Sequence, residues 1–385
     1  MTIISILGWL CLALAAIGSA YVLATAATVA RFFAAAGHAG DPNTAVTILK
    51  PLHGPEPCLI DNLATFLTQD HAGPIQLLCG VQREDDPAIA AVEDLRGRFP
   101  DARIDLIVDP SPHGSNGKIA NLINMSHAIA HPIVIMSDSD IAVPPNYLSR
   151  LLGALERKGV GVVTCLYGGR GDAGFWSRLG AAGLSYQFLP NATFATAIGQ
   201  LGDACMGSTI AMRRETLEAI GGFARFADIL ADDHAIGRAV RALGLSVAMP
   251  PLLVTHGSDE ASLGALWRHE LRWAATVRGV TPAAAYAGSL ITLPFPLALI
   301  GAMAHPAAGA ALSLVALVTR LVAAGTVDSA AGTATAAKWL LPARDFLSLA
   351  IFVASYGARS VDWRGARLTM GADGRIAPET ESLGR

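Results

Sequence analysis

The sequence predicts an α/β fold carried between membrane helices, and three observations predict it. Short apolar runs alternate with turn-rich loops and helical stretches through the middle of the chain, as in a buried parallel sheet with crossover helices. Uncharged stretches lie at both ends. The composition agrees, because 52% of the 385 residues are hydrophobic and only 15% are charged, against roughly 25% charged in a soluble domain. Mean hydropathy is +0.44. A net charge of -3 gives no polyelectrolyte signature, and with no local basic patch a nucleic-acid partner is not expected. Five cysteines, without C-x-x-C spacing, suit neither a disulfide framework nor a zinc site and fit a reducing cytosol.

In chain order, Thr2 to Ala30 carries no charge and ends at Arg31. That run is long enough for a bilayer core of about 30 Å and too long for the apolar region of a signal peptide, so residues 1–31 read as a retained anchor. Residues 32–280 form the globular part. Its strand-like runs are Ala45 to Leu49, Ile75 to Val81, Ile104 to Val108, Ile133 to Met136 and Val160 to Cys165, with helices such as Ile89 to Arg98 and Lys118 to Ala130. Residues 281–358 hold two to three membrane segments. Ala283 to Met303 and Ala307 to Val327 read as spans, while Trp339 to Tyr356, with Arg344 and Asp345 inside it, reads equally as a re-entrant or interfacial helix. Residues 359–385 read as a polar tail. Arg31 at one end and Arg268, Arg272 and Arg278 at the other put residues 31–280 in the cytoplasm of a multi-pass membrane protein. Arg359, Arg364 and Arg367 on the same side imply an even number of later crossings.

Acidic clusters follow the apolar runs. The strand IVIM enters Ser137-Asp138-Ser139-Asp140, where Asp138 and Asp140 can offer hard oxygen ligands to Mg²⁺ or Mn²⁺ and through it to a diphosphate. Taken alone, D-x-D is also what a turn capping the next helix looks like. Asp86, in Glu84-Asp85-Asp86-Pro87, can accept from a nucleobase or ribose, or simply start the helix at Ala88. Asp232 and Asp233 precede the helix Ala235 to Leu243. Lys118, after Asn116-Gly117, sits where a lysine and helix N-terminal amides can meet phosphate, though no P-loop pattern is present. His269-Glu270-Leu271-Arg272-Trp273 lies on a helix before the first C-terminal segment, where Arg272 can meet a diphosphate or, with Trp273, anchor at an interface. Phe175 to Ala197, with Trp176, Tyr186, Phe188 and Phe194, can line a lipid groove or form a buried helix.

The ordered set TILKPLHG, VQREDDPA, NGKIANL, SDSD, GGF with LADDHAIGRAV, and HELRW closely resembles the ceramide glucosyltransferase family, which includes bacterial hopanoid-biosynthesis-associated glycosyltransferases. The resemblance covers roughly residues 45–280. It implies a GT-A, Rossmann-like fold, a UDP-sugar donor and a lipid acceptor such as ceramide or a hopanoid. Position by position, the family's first aspartate falls on Asp86 as a donor contact, its metal-associated second aspartate on Asp138, and the third, proposed as catalytic base, on Asp233, while Lys118 joins the donor site and Asp140 the metal by the residue reading above. The family's (Q/R)-x-x-R-W falls on His269, Arg272 and Trp273, with His269 departing from Gln or Arg. The activity so expected is inverting transfer of glucose or N-acetylglucosamine to a lipid hydroxyl. A processive polysaccharide synthase would need more C-terminal segments to build a channel, and a lipid-binding scaffold with a degenerate fold would not need all three acidic sites.

Overall fold

A computed structural model describes residues 2–200, 204–358, 360–363, 366–370 and 376–378. The chain forms two compact units. A sheet unit comprises Ala35–Tyr167, Leu201–Asp259 and Ala366–Arg385, and a helical unit comprises Met1–Ala34, Gly168–Gln200 and Glu260–Gly365. The linear division expected a globular part running from 32 to 280. In the structure 168–200 and 260–280 group instead with the apolar terminal helices.

The strands are β1 (Val46–Pro51), β2 (Ile75–Val81), β3 (Arg103–Val108), β4 (Ile133–Met136), β5 (Ile141–Ala142), β6 (Val160–Thr164), β7 (Leu166–Gly171), β8 (Ile210–Arg213), β9 (Ser246–Ala248) and β10 (Leu253–Ser258). Seven of them form one sheet in the order β3-β2-β1-β4-β8-β6-β9. β1 to β4 are parallel, as their continuous apolar runs predict, but β8 enters antiparallel to both β4 and β6. The sheet is therefore mixed. β8 is a four-residue run ending in Arg213, too short to show a period of two. Side chains alternate across the sheet: Ile48, Leu77 and Ile135 enter one core with Leu63 and Tyr147, and Leu49, Leu78 and Met136 enter the other with Ile119, Leu122 and Ile236.

Register brings three loops to one edge. Val46 pairs with both Ile75 and Ile133, so β1, β2 and β4 start level and run parallel, and their carboxyl-terminal loops leave the same edge of the sheet. The helix Gly117–Met125 lies close over β2. A Cβ on Gly80 would come within 2.4 Å of Asn121 Oδ1 and Met125 Sδ, which is why glycine interrupts an otherwise bulky strand. Asn121 Nδ2 also donates to the Gly80 carbonyl at 2.8 Å.

In the helical unit, Ile3–Ala34 and Pro306–Ala331 are long and apolar enough to cross a membrane. The expected single span from Ala283 to Met303 is broken into Ala283–Thr292 and Pro294–Ala302, bent by 77°. Leu293, before Pro294, lies off the helical region at φ -115 and ψ 58, as the proline ring demands of the residue preceding it. Trp339 to Tyr356 contains only a 15-residue helix, Leu341–Ser355. Phe175 to Ala197 splits into Phe175–Gly183, a π turn over Leu184–Phe188, and Leu189–Ala197. Tyr186 is buried there and donates to Asp328 at 2.7 Å, while the Phe194 ring meets Tyr21 at 5.2 Å.

The segment expected as a polar tail contains strands β11 (Ser360–Trp363), β12 (Ala366–Met370) and β13 (Ile376–Pro378), of which β12 and β13 pair antiparallel. Arg359 and Arg364 lie outside the described residues, and of Arg367 only the backbone is described.

Arg320, Arg344 and Asp345, charges within the later apolar helices, are paired. Arg320 grips Asp345 at 2.7 and 3.1 Å and donates to the Tyr186 carbonyl at 2.6 Å. Arg344 grips Glu270. Removing one partner strands a buried charge, so Arg320→Ala should lower stability by about 3 to 5 kcal/mol. Arg320→Met combined with Asp345→Leu should lose much less. Thermal unfolding in detergent checks both, and an unchanged midpoint for Arg320→Ala would contradict the assignment.

Candidate active site

The site at the sheet's carboxyl edge is organised by Lys118. Asn116 caps the helix Gly117–Met125 by accepting from the Ile119 amide at 3.0 Å, which sets Lys118 in the first turn. From there its Nζ lies 2.6 Å from Asp138 Oδ1 and 3.6 Å from Asp232 Oδ2. Asn116 Nδ2 also donates to the Ile229 carbonyl at 2.8 Å and to Asp232 at 3.4 Å, tying the loop before the helix Asp232–Ala242 to the same turn. Residues from NGK, SDSD and ADD thus meet around one ammonium.

Burial and charge oppose each other here. Burial alone would lower the Lys118 pKa, but the carboxylates of Asp138, Asp232 and Asp233 raise it above its ordinary value. Asp232 is raised by burial, against the pull of Lys118. Asp233 is pushed up to about 6, first by burial and then by the neighbouring Asp232. Its Oδ1 accepts from the His234 amide at 2.7 Å. A half-buried carboxyl titrating near neutrality can exchange a proton at physiological pH.

Asp138 and Asp140 meet different partners. Asp138 keeps 34% of its side chain exposed beside Lys118. Asp140 Oδ2 lies 3.3 Å from His256 Nε2, because β10 pairs antiparallel with β5 and sets His256 opposite Ile141. The His256 ring stacks on Tyr167 at 5.5 Å. Among the described residues, no three His, Cys, Asp or Glu side chains are grouped to hold a metal ion. Two carboxylates are nevertheless a usual protein share for Mg²⁺, whose other ligands are substrate phosphates and water. Asp138 and Asp140 supply hard carboxylate oxygens of the kind such an ion takes.

Asp86 is engaged elsewhere in the unit. Its carboxylate accepts from the Gly54 amide at 2.9 and 3.1 Å and from the Ala88 amide at 2.9 Å, fastening the loop after β1 to the start of the helix Ala88–Arg98. It therefore fills the capping role and also holds the neighbouring loop.

Sequence reasoning passed over Lys50, His256, Tyr167 and Gly207. Lys50 is fully buried in β1, and burial pulls its pKa down to about 7 against the raising effect of Asp140 and Asp138. Its signal was visible as the lone charge in an apolar strand. Gly207 presses on the site, since a Cβ there would lie 2.8 Å from Asp138 Oδ2. His256 and Tyr167 carried no local signal, as pairing between distant strands brings them in.

In the helical unit, His269, Arg272 and Trp273 share the helix Leu263–Val280. His269 Nδ1 pairs with Glu260, and its ring meets Trp273 edge-on at 4.5 Å. The Arg272 carbonyl accepts from Thr276 Oγ1 at 2.9 Å.

The family model described as Glycosyl transferase family 21 matches residues 10–376. Ceramide glucosyltransferase 1 of Caenorhabditis elegans is 25% identical over 231 residues, covering 59% of this chain and 48% of that protein. Ceramide glucosyltransferase of Komagataella phaffii is 36% identical over 117 residues, covering 29% of this chain and 23% of that one. The chain thus matches about half or less of the length of these curated relatives. Among solved structures, a mannosyltransferase from Pyrobaculum calidifontis in complex with GDP-Man and Mn²⁺ has 19% sequence identity and a TM-score of 0.53, covering 91% of this chain and 98% of that one. At that identity the likeness is one of fold.

Replacing Lys118 should expose the cost of the acidic cluster. In Lys118→Met the buried Asp232 loses its cation, so its folded pKa rises further above an unfolded value of about 3.9. A carboxyl raised on folding holds its proton more tightly when folded, so stability falls as pH rises through that window. The Lys118→Met midpoint should therefore fall more steeply than the native one as pH rises above about 4. Parallel pH dependence of the two proteins would contradict the pairing.

Proposed function

The chain belongs to glycosyl transferase family 21, and from that membership we propose that it is a membrane-bound inverting glycosyltransferase. It moves glucose or N-acetylglucosamine from a UDP-sugar to a lipid hydroxyl, with ceramide-like acceptors first and hopanoids second. The fold is of the GT-A type, matching the solved mannosyltransferase. The observation that carries the reading is the acidic edge, where Asp138 and Asp232 flank Lys118 and burial and Asp232 push the Asp233 carboxyl up to about 6.

Each residue then has a task. Lys118 and helix amides favour the donor diphosphate. Asp138 and Asp140 would hold Mg²⁺ or Mn²⁺, which when bound offsets the diphosphate charge as UDP departs. Asp233 takes the proton from the lipid hydroxyl while its oxygen attacks the anomeric carbon. The bond to the UDP oxygen breaks with its electron pair leaving on UDP, and an α-linked donor gives a β-linked product. Asp86 keeps the loop after β1 in place beside the donor. His256 meets Asp140 and is backed by the Tyr167 ring. For Arg272, Trp273 and His269 the reading rests on motif order. Arg272→Lys, which keeps charge but loses the bidentate fork, should weaken donor use.

The helical unit supplies the membrane association, through the two span-length helices and the bent pair Ala283–Thr292 with Pro294–Ala302. Residues 32–280 face the cytoplasm, on the strength of the basic residues beside both apolar ends. Labelling of Cys58, an exposed thiol, by an impermeant reagent applied outside intact cells would contradict that side.

Asp233→Asn should keep UDP binding while losing turnover on the order of 10²-fold or more. In the native protein kcat/KM should fall about tenfold per pH unit below about pH 6, where Asp233 takes up its proton. Lipid-product analysis with UDP-glucose and UDP-N-acetylglucosamine checks both, and an α-linked product or an active Asp233→Asn protein would overturn the assignment.

A further inference from the structure

β1 is buried along its whole length, and Lys50 is its one charged residue. Its neighbours on the same face, Val46, Ile48 and Leu52, belong to the hydrophobic core. A lysine there is expensive unless every hydrogen of its ammonium finds a receiver. Three receivers are present: Ser137 Oγ at 3.0 Å, the Asp138 carbonyl at 2.8 Å, and the Phe66 ring face at 3.6 Å from its centroid.

The place of these contacts matters. The ladder between β1 and β4 ends at Leu49 and Met136, with one further bond from the Ser137 amide to the Leu49 carbonyl at 3.2 Å. Beyond it the chain leaves the sheet into Ser137-Asp138-Ser139-Asp140. Lys50 donates to the first two residues of that turn, so a side chain takes over where backbone pairing stops. Asp138 is thus held by two lysines: Lys50 fixes its main chain, and Lys118 meets its carboxylate at 2.6 Å.

We propose that Lys50 is a positioning residue that aims the Asp138 carboxylate at the donor diphosphate by anchoring the turn from behind. This rests on the reading of Asp138 as a donor-site residue. Lys50 itself does not touch the reacting atoms. Its loss should therefore appear in donor binding and donor KM, with kcat at saturating donor much less changed.

The test is calorimetric titration of the full-length, detergent-solubilised protein with UDP, with and without Mn²⁺, alongside thermal unfolding. Lys50→Met removes the buried ammonium but strands no opposite charge, since its receivers are a hydroxyl, a carbonyl and a ring, so its unfolding midpoint should fall only modestly. Its Mn²⁺-dependent UDP affinity should fall on the order of 10-fold, as loss of charge-assisted hydrogen bonds predicts. Ser137→Ala removes one receiver only and should weaken UDP by a smaller factor at an unchanged midpoint. It decides the matter if Lys50→Met does not fold. Native-like UDP affinity in a folded Lys50→Met protein, or in Ser137→Ala when the former fails to fold, would overturn the inference alone. Failure of the native protein to bind UDP with Mn²⁺ would overturn the donor reading, and the inference with it.

Discussion

The sheet unit is organised around one constraint: several carboxylates must share a poorly solvated edge. Lys118 meets Asp138 and Asp232 directly, and Asp233 adds its field. Without that ammonium the cluster would repel itself, and the buried Asp232 would have no cation beside it. Much of the neighbouring architecture serves this arrangement. The Asn116 cap sets the lysine in the first turn, Gly207 leaves room for Asp138, and the shared parallel register of β1, β2 and β4 delivers their loops to one edge.

The strands that carry these loops were legible because continuous apolar runs such as Ile75 to Val81 and Ile133 to Met136 have little alternative to a buried parallel sheet. β8 was not, since four residues carry no periodicity and its antiparallel entry depends on pairing with distant partners. The acidic motifs were visible as residues, but their order in sequence does not say that Asp138 and Asp232 share Lys118. Asp140 shows the limit well: its neighbour His256 comes from β10, more than a hundred positions away in sequence, through a strand pair that no local pattern announces.

The helical unit follows the same rule in an apolar setting. Arg320, Arg344 and Asp345 look like interruptions in the sequence, yet Arg320 meets Asp345 and Arg344 meets Glu270. Charged side chains within apolar helices persist when they find each other. Pro294 had a visible signature, and its consequence, the bend after Thr292, followed from local sterics rather than from hydropathy. Hydropathy alone treats Ala283 to Met303 as one run, which is why the break had to be found in the backbone.

The role proposed for the Asp138 and Asp140 turn is to receive a metal-bound nucleoside diphosphate beside Lys118. Anomalous diffraction from crystals of the full-length protein grown with UDP and Mn²⁺ tests it most directly. A manganese peak is expected within coordination distance of an Asp138 or Asp140 oxygen and of a UDP phosphate oxygen. Ordered UDP with manganese bound away from both carboxylates would contradict it.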